Sequence, residues 1–265
     1  MQFSDLSELR GSRSGDVFIV ASGPSAGCFP LKLYAHLPMV ALNGSIRLFG
    51  EAGVAPYFYL CDDSSFVRNR LPMLLEAVDF AQNLALSPRV VDSLLLSAPR
   101  ALDGRSVYRF ERVNRPARDK AALGDRRFAW KARKDGDLEC RFSLLRQKAN
   151  RIGFSRNLDK GYFSSRTVPY AGIQLAYHLG FSRVFLVGLD LNSSAGRFYE
   201  QGAGAVPSRL DGDYEDYILP CFRLMSERVV GPHFQVYNLS VGSKLPADVV
   251  PKITLSQMDE LLARS

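Results

Sequence analysis

The sequence predicts an α/β protein built on a single Rossmann-like, doubly wound and mostly parallel sheet. Three observations support this fold class. Short apolar runs rich in β-branched residues recur along the chain, each run ends in polar residues, and stretches of helical periodicity lie between them. Because ligands of such sheets bind at the carboxyl ends of the strands, the polar residues after each run form the candidate site.

The first predicted strand, Asp16–Val20, opens into a loop of small residues that includes Gly23, Pro24 and Ser25. The backbone of such a loop can approach a phosphate or a ribose closely. The loop is not a dinucleotide fingerprint, because GxGxxG requires a glycine where Ser25 stands, and no P-loop motif occurs in the chain. A tight connection without a ligand is the alternative interpretation.

Two more predicted strands have polar ends. Met39–Leu42 leads into Asn43, and residues 57–60 lead into Asp62 and Asp63. Asn43 is followed by glycine, so an ordinary turn is its alternative. Adjacent aspartates point to opposite faces of an extended chain, so we expect Asp62 to face a ligand and no metal to bind here.

The most complete unit spans residues 161–199. Ser165 and Thr167 precede an apolar set with helical spacing, Gly180 ends this helix, and residues 184–187 follow as a buried strand. The loop after that strand carries Asp190, Asn192, Arg197 and Tyr199. Asp190 is expected to bind ribose or sugar hydroxyls, with bonding to local backbone as the alternative.

Other segments support the architecture. Helices are expected at residues 66–86 and 214–229 and in a tail capped by Thr254, and strands at residues 93–97 and 234–237. The three histidines lack metal-binding spacing, and His178 is expected on a helix surface.

Composition favours one α/β domain over residues 1–265, since 46% of 265 residues are hydrophobic. The four cysteines are far apart and form no CxxC, which indicates reduced thiols in the cytoplasm. No signal peptide or membrane-spanning run is recognised, so any membrane contact is expected to be peripheral.

Positive charge is concentrated in residues 105–160, which hold 17 Lys and Arg against 7 Asp and Glu, while the whole chain carries a net charge of only +7. We interpret this basic insertion as loop and short helix lying over the sheet rather than as core. A solvated face is the plain alternative, but so local a surplus also attracts a polyanion: nucleic acid, an anionic membrane surface or an anionic glycolipid. No nucleic-acid recognition motif is present, so nucleic acid is not the expected partner.

Several motifs carry a family resemblance along most of the chain: VFIVASGPSAG, VALNGS, FYLCDD, IGFSRNLDKGYFSSRT, AGIQLAYHLGFSRVFLVGLDL and VYNLS. In this order they resemble the lipopolysaccharide-core transferases that add a third Kdo (3-deoxy-D-manno-oct-2-ulosonic acid) in enteric bacteria. More distantly, the chain is similar to bacterial sialyltransferases that use CMP-sialic acid. The resemblance implies a GT-A-variant-like fold and an inverting, metal-independent transfer of Kdo from CMP-Kdo, without any cofactor.

The resemblance also implies roles for residues. Tyr199 lies near a phosphate-binding tyrosine of the sialyltransferase pattern, Arg197 is a neighbouring cation, and Asn43 would bind the donor. Asn192 stands where the sialyltransferase loop has its first tyrosine. Residues 192–213 correspond to a mobile loop, which we expect to act as a lid.

The general base is expected among the acidic residues at the end of this loop, because the histidine of the sialyltransferases has no counterpart here. Asp213 is the first candidate and Asp211 the second. The alternative interpretation is that this acidic cluster caps the helix that follows.

The implied acceptor is the anionic lipid A inner core, which places the protein at the cytoplasmic face of the inner membrane. Three other functions remain open: a sialyltransferase-like enzyme using a different CMP-activated sugar acid, an enzyme like the pterin diphosphokinases, and a non-catalytic binder of nucleotide or anionic lipid.

Overall fold

The computed structural model describes residues 3–114, 121–192, 198 and 210–264, apart from the side chains of Leu210 and Asp211. In chain order the strands of this part are β1 Asp16–Val20, β2 Met39–Leu42, β3 Phe58–Cys61, β4 Asn83–Leu86, β5 Val107–Arg109, β6 Leu138–Cys140, β7 Gly153–Ser155, β8 Arg183–Val187 and β9 Gln235–Asn238. The helices are α1 Ile46–Ala52, α2 Ser64–Phe80, α3 Pro88–Ser97, α4 Asp125–Ala132, α5 Val168–Leu179, α6 Leu210–Asp213, α7 Leu219–Arg228 and α8 Leu255–Leu262.

Seven strands form one sheet in the order β5-β4-β3-β2-β1-β8-β9, and neighbouring strands pair in parallel. The chain builds outward from β1 to β5 on one side and then returns to add β8 and β9 on the other side. The strand order therefore reverses at β1, and the crevice between the carboxyl ends of β1 and β8 is the topological switch point.

Both faces of the sheet are covered, as the continuous apolar strands predict. Alternate residues of β1 enter different cores: Val17 and Ile19 join the core beneath α5 and α7, while Phe18 and Val20 join the core beneath α1, α2 and α3. The doubly wound, mostly parallel α/β fold predicted from the sequence is confirmed.

Two expected elements were wrong. Residues 66–86 are not one helix, because the helix ends at Phe80 and Asn83–Leu86 forms β4 between β3 and β5. Residues 93–97 are not a strand but the end of α3, which buries Leu94 and leaves Leu96 exposed. In both places the apolar run is too short for its periodicity to distinguish a helix from a strand, and tertiary contacts determine which of the two forms.

The basic insertion is more than loop and short helix over the sheet. Its strands β6 and β7 form an antiparallel pair, and Phe154 and Ala129 from this segment belong to the main core. The Tyr170 hydroxyl of α5 lies 2.9 Å from the carbonyl oxygens of both Gly153 and Cys221, which ties β7 to α5 and α7. The expectation that this segment stays outside the core was wrong.

Two kinds of titratable group are buried in the core. All four cysteines are free, and burial raises the pKa of Cys61, Cys140 and Cys221 to about 12, so these thiols stay protonated. His178 is buried rather than on a helix surface: its Nδ1 accepts a hydrogen bond from the Leu158 N–H at 3.2 Å.

Within the described residues, no helix is both long and apolar enough to cross a bilayer.

Candidate functional site

The loops after β1 and β8 meet directly at the switch point. The Gly23 N–H donates to the Gly188 carbonyl at 3.0 Å, and the Ser25 N–H donates to Oδ2 of Asp190 at 3.0 Å. Asp190 therefore bonds backbone of the opposite loop, 165 residues away. These bonds hold together two of the polar strand ends that the sequence singles out.

Glycine is required at position 23 because there is no space for a side chain. A Cβ at this position would lie 2.2 Å from Asp190 Oδ2 and 2.5 Å from the Gly188 carbonyl oxygen. Its φ of −67° suits any residue, so conformational freedom is not the reason. The sequence predicts that a ligand group can approach the backbone of this loop closely; in the structure, the Asp190 carboxylate lies in close contact with it. Pro24 is exposed.

The loop after β9 adds a third wall. The hydroxyls of Ser25 and Ser240 are 2.7 Å apart, and the Lys244 N–H donates to the Asp190 carbonyl at 2.9 Å. The Lys244 ammonium lies 4.3 Å from the ring centroid of Tyr214, next to the helical segment that begins at Leu210. Ser240 and Lys244 were missed from sequence, although both follow a parallel strand and a polar strand end was the signal used elsewhere.

Asn43, at the carboxyl end of β2, has an unusual backbone conformation and an unusual side-chain environment. Its φ of 48° lies in the left-handed region, which asparagine tolerates better than most residues. Its side-chain Oδ1 is buried and has no hydrogen-bond partner within the described residues. A buried polar atom without a partner is costly, and a bound ligand is one established explanation for such an atom.

The two aspartates after β3 have separate structural tasks. Asp63 accepts a hydrogen bond from the Ser65 N–H at 2.8 Å and caps α2. The partly buried Asp62 forms an ion pair with Arg112, whose Nε lies 2.8 Å from Oδ2. Arg112 Nε also lies 3.3 Å from the Tyr162 hydroxyl. At this strand end, then, the carboxylate expected to face a ligand is engaged by an exposed arginine.

The N-terminus of α5 lies at the same edge of the sheet. Because α5 runs back between parallel strands, its first residues stand near the carboxyl ends of those strands. Thr167 is the N-cap residue but makes no side-chain capping bond, and Ser165 is fully buried with its Oγ 3.4 Å from the Thr167 carbonyl. The helix dipole at this end of α5 favours an anion.

The acidic cluster belongs to a helical segment that begins before it. Helix α6 leads through a π-helical turn, Tyr214–Ile218, into α7, so Asp213 lies within this segment and makes no capping bond. The capping interpretation was therefore wrong for Asp213, which is partly exposed. Nearby, Asp216 Oδ2 lies 2.5 Å from the Lys148 Nζ. Short π segments are frequent at functional sites.

Several predicted site residues cannot be placed. Arg197 and Tyr199 lie outside the described residues, as does the Asp211 side chain and most of the lid segment 192–213. Asn192 is exposed at the start of that segment, and Phe198 donates its N–H to the Ser22 carbonyl at 3.2 Å. No three His, Cys, Asp or Glu side chains of the described residues are grouped as metal ligands would be.

Residues 1–256 match the family described as 3-deoxy-D-manno-octulosonic acid transferase WaaZ. The chain belongs to this family. The "Probable 3-deoxy-manno-octulosonic acid transferase" of Escherichia coli K12 is 29% identical over 251 residues, 92% of this chain and 84% of that protein. The protein of the same description from Salmonella typhimurium LT2 is 27% identical over 97% of this chain and 94% of its own length. As a member of the WaaZ family, the protein is an enzyme of Kdo transfer in lipopolysaccharide synthesis.

One solved structure shares the fold, and a second is more distantly similar. The MAf glycosyltransferase of Magnetospirillum magneticum AMB-1 superposes with a TM-score of 0.53 at 18% identity over 96% of this chain, which spans 38% of that larger chain. The sialyltransferase CstII of Campylobacter jejuni, solved with the substrate analogue CMP-3FNeuAc, is 15% identical with a TM-score of 0.44 over 89% of this chain and 85% of its own. The fold of this WaaZ family member is thus similar to that of the MAf glycosyltransferase.

Proposed function

We propose that the protein is an inverting, metal-independent glycosyltransferase that moves Kdo from CMP-Kdo to the lipopolysaccharide inner core. Family membership supports Kdo transfer in general, and the geometry of the switch-point crevice supports the donor. In this proposal CMP lies across the carboxyl ends of β1, β2 and β8. The crevice supplies neutral hydrogen-bonding groups and an anion-favouring helix end, which suit a nucleotide monophosphate.

The observation that carries the donor assignment is the buried, unpaired Oδ1 of Asn43 at the end of β2. Cytosine offers an exocyclic amino group and ribose offers hydroxyls, and either can donate to this oxygen. Ser25, at the neighbouring strand end, adds a hydroxyl. Gly23, Pro24, Asp190 and Asn192 are assigned to the same donor site, with Asp190 acting through the backbone of Ser25.

The leaving group gains one negative charge when the bond between the Kdo anomeric carbon and the phosphate oxygen breaks. We assign stabilisation of this charge to the N-terminus of α5 with Ser165 and Thr167, and to Arg197 and Tyr199. Lys244 is a further cation at the same edge of the sheet. A single added charge requires no divalent ion, so these groups are sufficient in the proposal.

The acceptor hydroxyl must lose its proton as its oxygen bonds to the anomeric carbon. We assign this proton to the carboxylate of Asp213, with Asp211 second. The bond to CMP breaks on the opposite face of the sugar, so one displacement inverts the anomeric configuration. Asp62 is assigned a supporting part, because its pairing with Arg112 holds the loop after β5 against the end of β3.

Transfer is tested with the purified full-length protein, CMP-Kdo and a lipid A acceptor that already bears Kdo, in the presence of EDTA. The expected result is release of CMP and a gain of one Kdo mass by the acceptor, with the opposite anomeric configuration in the product. Loss of activity in EDTA would contradict metal independence. A faster reaction with CMP-sialic acid would contradict the Kdo donor.

The base is tested by Asp213→Asn, with Glu215→Gln as a matched control on an exposed neighbour. We expect Asp213→Asn to lower kcat by roughly 10²–10⁴-fold, the usual contribution of a general base, while CMP affinity stays constant. Glu215→Gln should leave both quantities unchanged. If Asp213→Asn keeps full turnover, this assignment is wrong and Asp211 takes its place.

A further inference from the structure

Three large apolar side chains stand exposed on the basic insertion. Trp130 on α4 is 52% exposed, and Leu144 and Leu145 in the loop after β6 are 69% and 92% exposed. Leucine is among the residues most often buried, so two adjacent exposed leucines beside an exposed tryptophan are unusual for a surface that faces only water. We name this surface the basic-apolar patch. It consists of Trp130, Leu144, Leu145, Arg126, Arg127, Lys131, Arg133, Lys134 and Arg146.

The loop that carries the leucines has a defined shape. Asn150 is 1% exposed; its Oδ1 accepts from the Ser143 N–H, and its Nδ2 donates to the Ser143 carbonyl, both at 2.9 Å. The Ser143 hydroxyl in turn accepts from the Arg146 N–H at 2.9 Å. These bonds close the loop at its base, so Leu144 and Leu145 are held at its tip and do not fold back into the core.

Ring contacts place Trp130 on the same side as this loop. Its ring packs edge-on against Phe142 with centroids 5.4 Å apart, and Phe142 directly precedes the loop. The Arg133 guanidinium lies 5.7 Å from the Trp130 centroid and 5.4 Å from the Phe142 centroid. An aromatic ring and a cation therefore lie next to the start of the loop that carries the two leucines.

The positive charge of the patch is not neutralised by its own segment. The four acidic residues of positions 121–150 each pair with a cation from outside that range: Asp125 with Arg151, Asp135 with Lys160, Asp137 with Arg10, and Glu139 with Arg156. In the described part of the chain, none of the six basic residues of the patch forms an ion pair with a carboxylate. All six are exposed.

We propose that the basic-apolar patch docks the protein onto an anionic phospholipid membrane. The lysines and arginines meet the lipid headgroups, while Trp130, Leu144 and Leu145 enter the boundary between headgroups and acyl chains. Nucleic acid would pair with the cations but leave the leucines without a partner. The inference extends the proposed function, whose acceptor is a membrane lipid, but docking itself requires no transfer.

Vesicle sedimentation of the full-length protein tests the docking. Vesicles of phosphatidylethanolamine with phosphatidylglycerol should bind the wild type, and phosphatidylcholine vesicles should bind it at least tenfold more weakly. The double variant Leu144→Ser with Leu145→Ser should bind the anionic vesicles at least tenfold more weakly. The matched control, Leu33→Ser with Leu96→Ser, changes two leucines that are 66% and 86% exposed elsewhere and should bind like the wild type.

Three results would overturn the docking surface: equal loss in both double variants, equal binding to neutral and anionic vesicles, or tighter binding to duplex DNA that the leucine changes do not affect. Circular dichroism checks that both variants are folded. Transfer to a water-soluble acceptor without acyl chains separates docking from catalysis, because the Leu144 and Leu145 variant should keep wild-type turnover there. A wild type that binds vesicles but transfers no Kdo would instead contradict the proposed function.

Discussion

At the scale of single residues, the candidate site depends on a missing side chain at Gly23. Gly23→Ala places a methyl group 2.2 Å from Asp190 Oδ2, so the loops after β1 and β8 must separate. We expect this variant to lose about 1–3 kcal/mol of unfolding free energy, as overpacked sites do, measured by urea denaturation. Gly27→Ala is the control, because within the described residues no atom beyond its chain neighbours lies within 4 Å of the added Cβ. Equal stability of the two variants would contradict the observed contact.

Asn43 can be tested without straining the backbone. Asn43→Gly removes the buried Oδ1 and accepts the left-handed φ, so the unfolding free energy should change by no more than about 1 kcal/mol. Calorimetric titration with CMP should show at least a tenfold loss of affinity.

The control for this change is another left-handed asparagine. The Asn114 side chain bonds both the N–H and the carbonyl of Leu123 at 2.8 Å, so Asn114→Gly should lower stability. CMP binding should persist in that variant. The opposite pattern, with Asn43 needed for stability and not for CMP, would rule out its role as a ligand group.

His178 predicts a pH dependence of stability. Burial lowers the pKa of His178 below its ordinary value, because the core disfavours the charged imidazolium. The Leu6 carbonyl, 2.9 Å from Nε2, only partly offsets this effect. Below about pH 6.5, His178 is therefore protonated in the unfolded chain but stays neutral in the folded protein. The free energy of unfolding falls as the pH falls. Urea denaturation between pH 7 and pH 5 should show a shallower decline for His178→Gln than for the wild type. Parallel declines would contradict this source.

Two contacts of single residues could not be predicted from the sequence, for the same reason. Asp62 is engaged by Arg112, and His178 is buried against Leu6, partners that are 50 and 172 positions away. Local pattern identifies a polar group at a strand end or on a helix, but its partner is set by tertiary packing. By contrast, Gly180 was assigned correctly as the end of α5, since a φ of 99° is a local requirement that glycine meets.

At the scale of elements, the two helix N-caps should respond differently to removal of their hydroxyls. Thr254 forms a reciprocal capping box with Gln257, whereas the Thr167 side chain makes no capping bond. We expect Thr254→Ala to lose about 1 kcal/mol of unfolding free energy and Thr167→Ala to lose little. Thr167→Ala should instead weaken CMP binding. Thermal unfolding and calorimetry of the two variants decide this, and a large stability loss in Thr167→Ala would show that its hydroxyl is structural.

Elements with an unambiguous period were predictable. The buried strands Asp16–Val20 and Met39–Leu42 appear with the bounds that their apolar runs indicate, and α5 has the predicted spacing. The strand predicted at residues 93–97 was wrong because LLL fits a strand and a helix equally. Ser87 as the N-cap residue and Pro88 in the first turn favour a helix. The π-helical turn has no sequence signature that marks it in advance.

At the scale of the whole molecule, the basic insertion is joined to the helical segment that carries the proposed base. Lys148, three positions after Leu145, pairs with Asp216, three positions after Asp213, and the Arg166 guanidinium lies 5.1 Å from the Tyr217 ring centroid. The loop of the basic-apolar patch is thus linked to the segment that carries Asp213. This link joins the proposed docking surface to the segment that carries the proposed base.

The charge distribution was predictable from sequence, because the surplus in residues 105–160 is a matter of counting. The basic-apolar patch was not predictable, since the exposure of Leu144 and Leu145 and the pairing of each acid with a cation from outside residues 121–150 exist only in the folded chain. The candidate site was likewise predictable only in part. Polar strand ends mark the crevice, but Ser240 and Lys244 join it only through the loop after β9.

The most direct test is a crystal structure of the full-length protein with CMP in EDTA. We expect to find cytidine against Asn43, ribose beside the loop of Ser25, and the phosphate at the N-terminus of α5 without a metal ion. CMP bound away from the carboxyl ends of β1, β2 and β8, or bound only through a divalent ion, would contradict it.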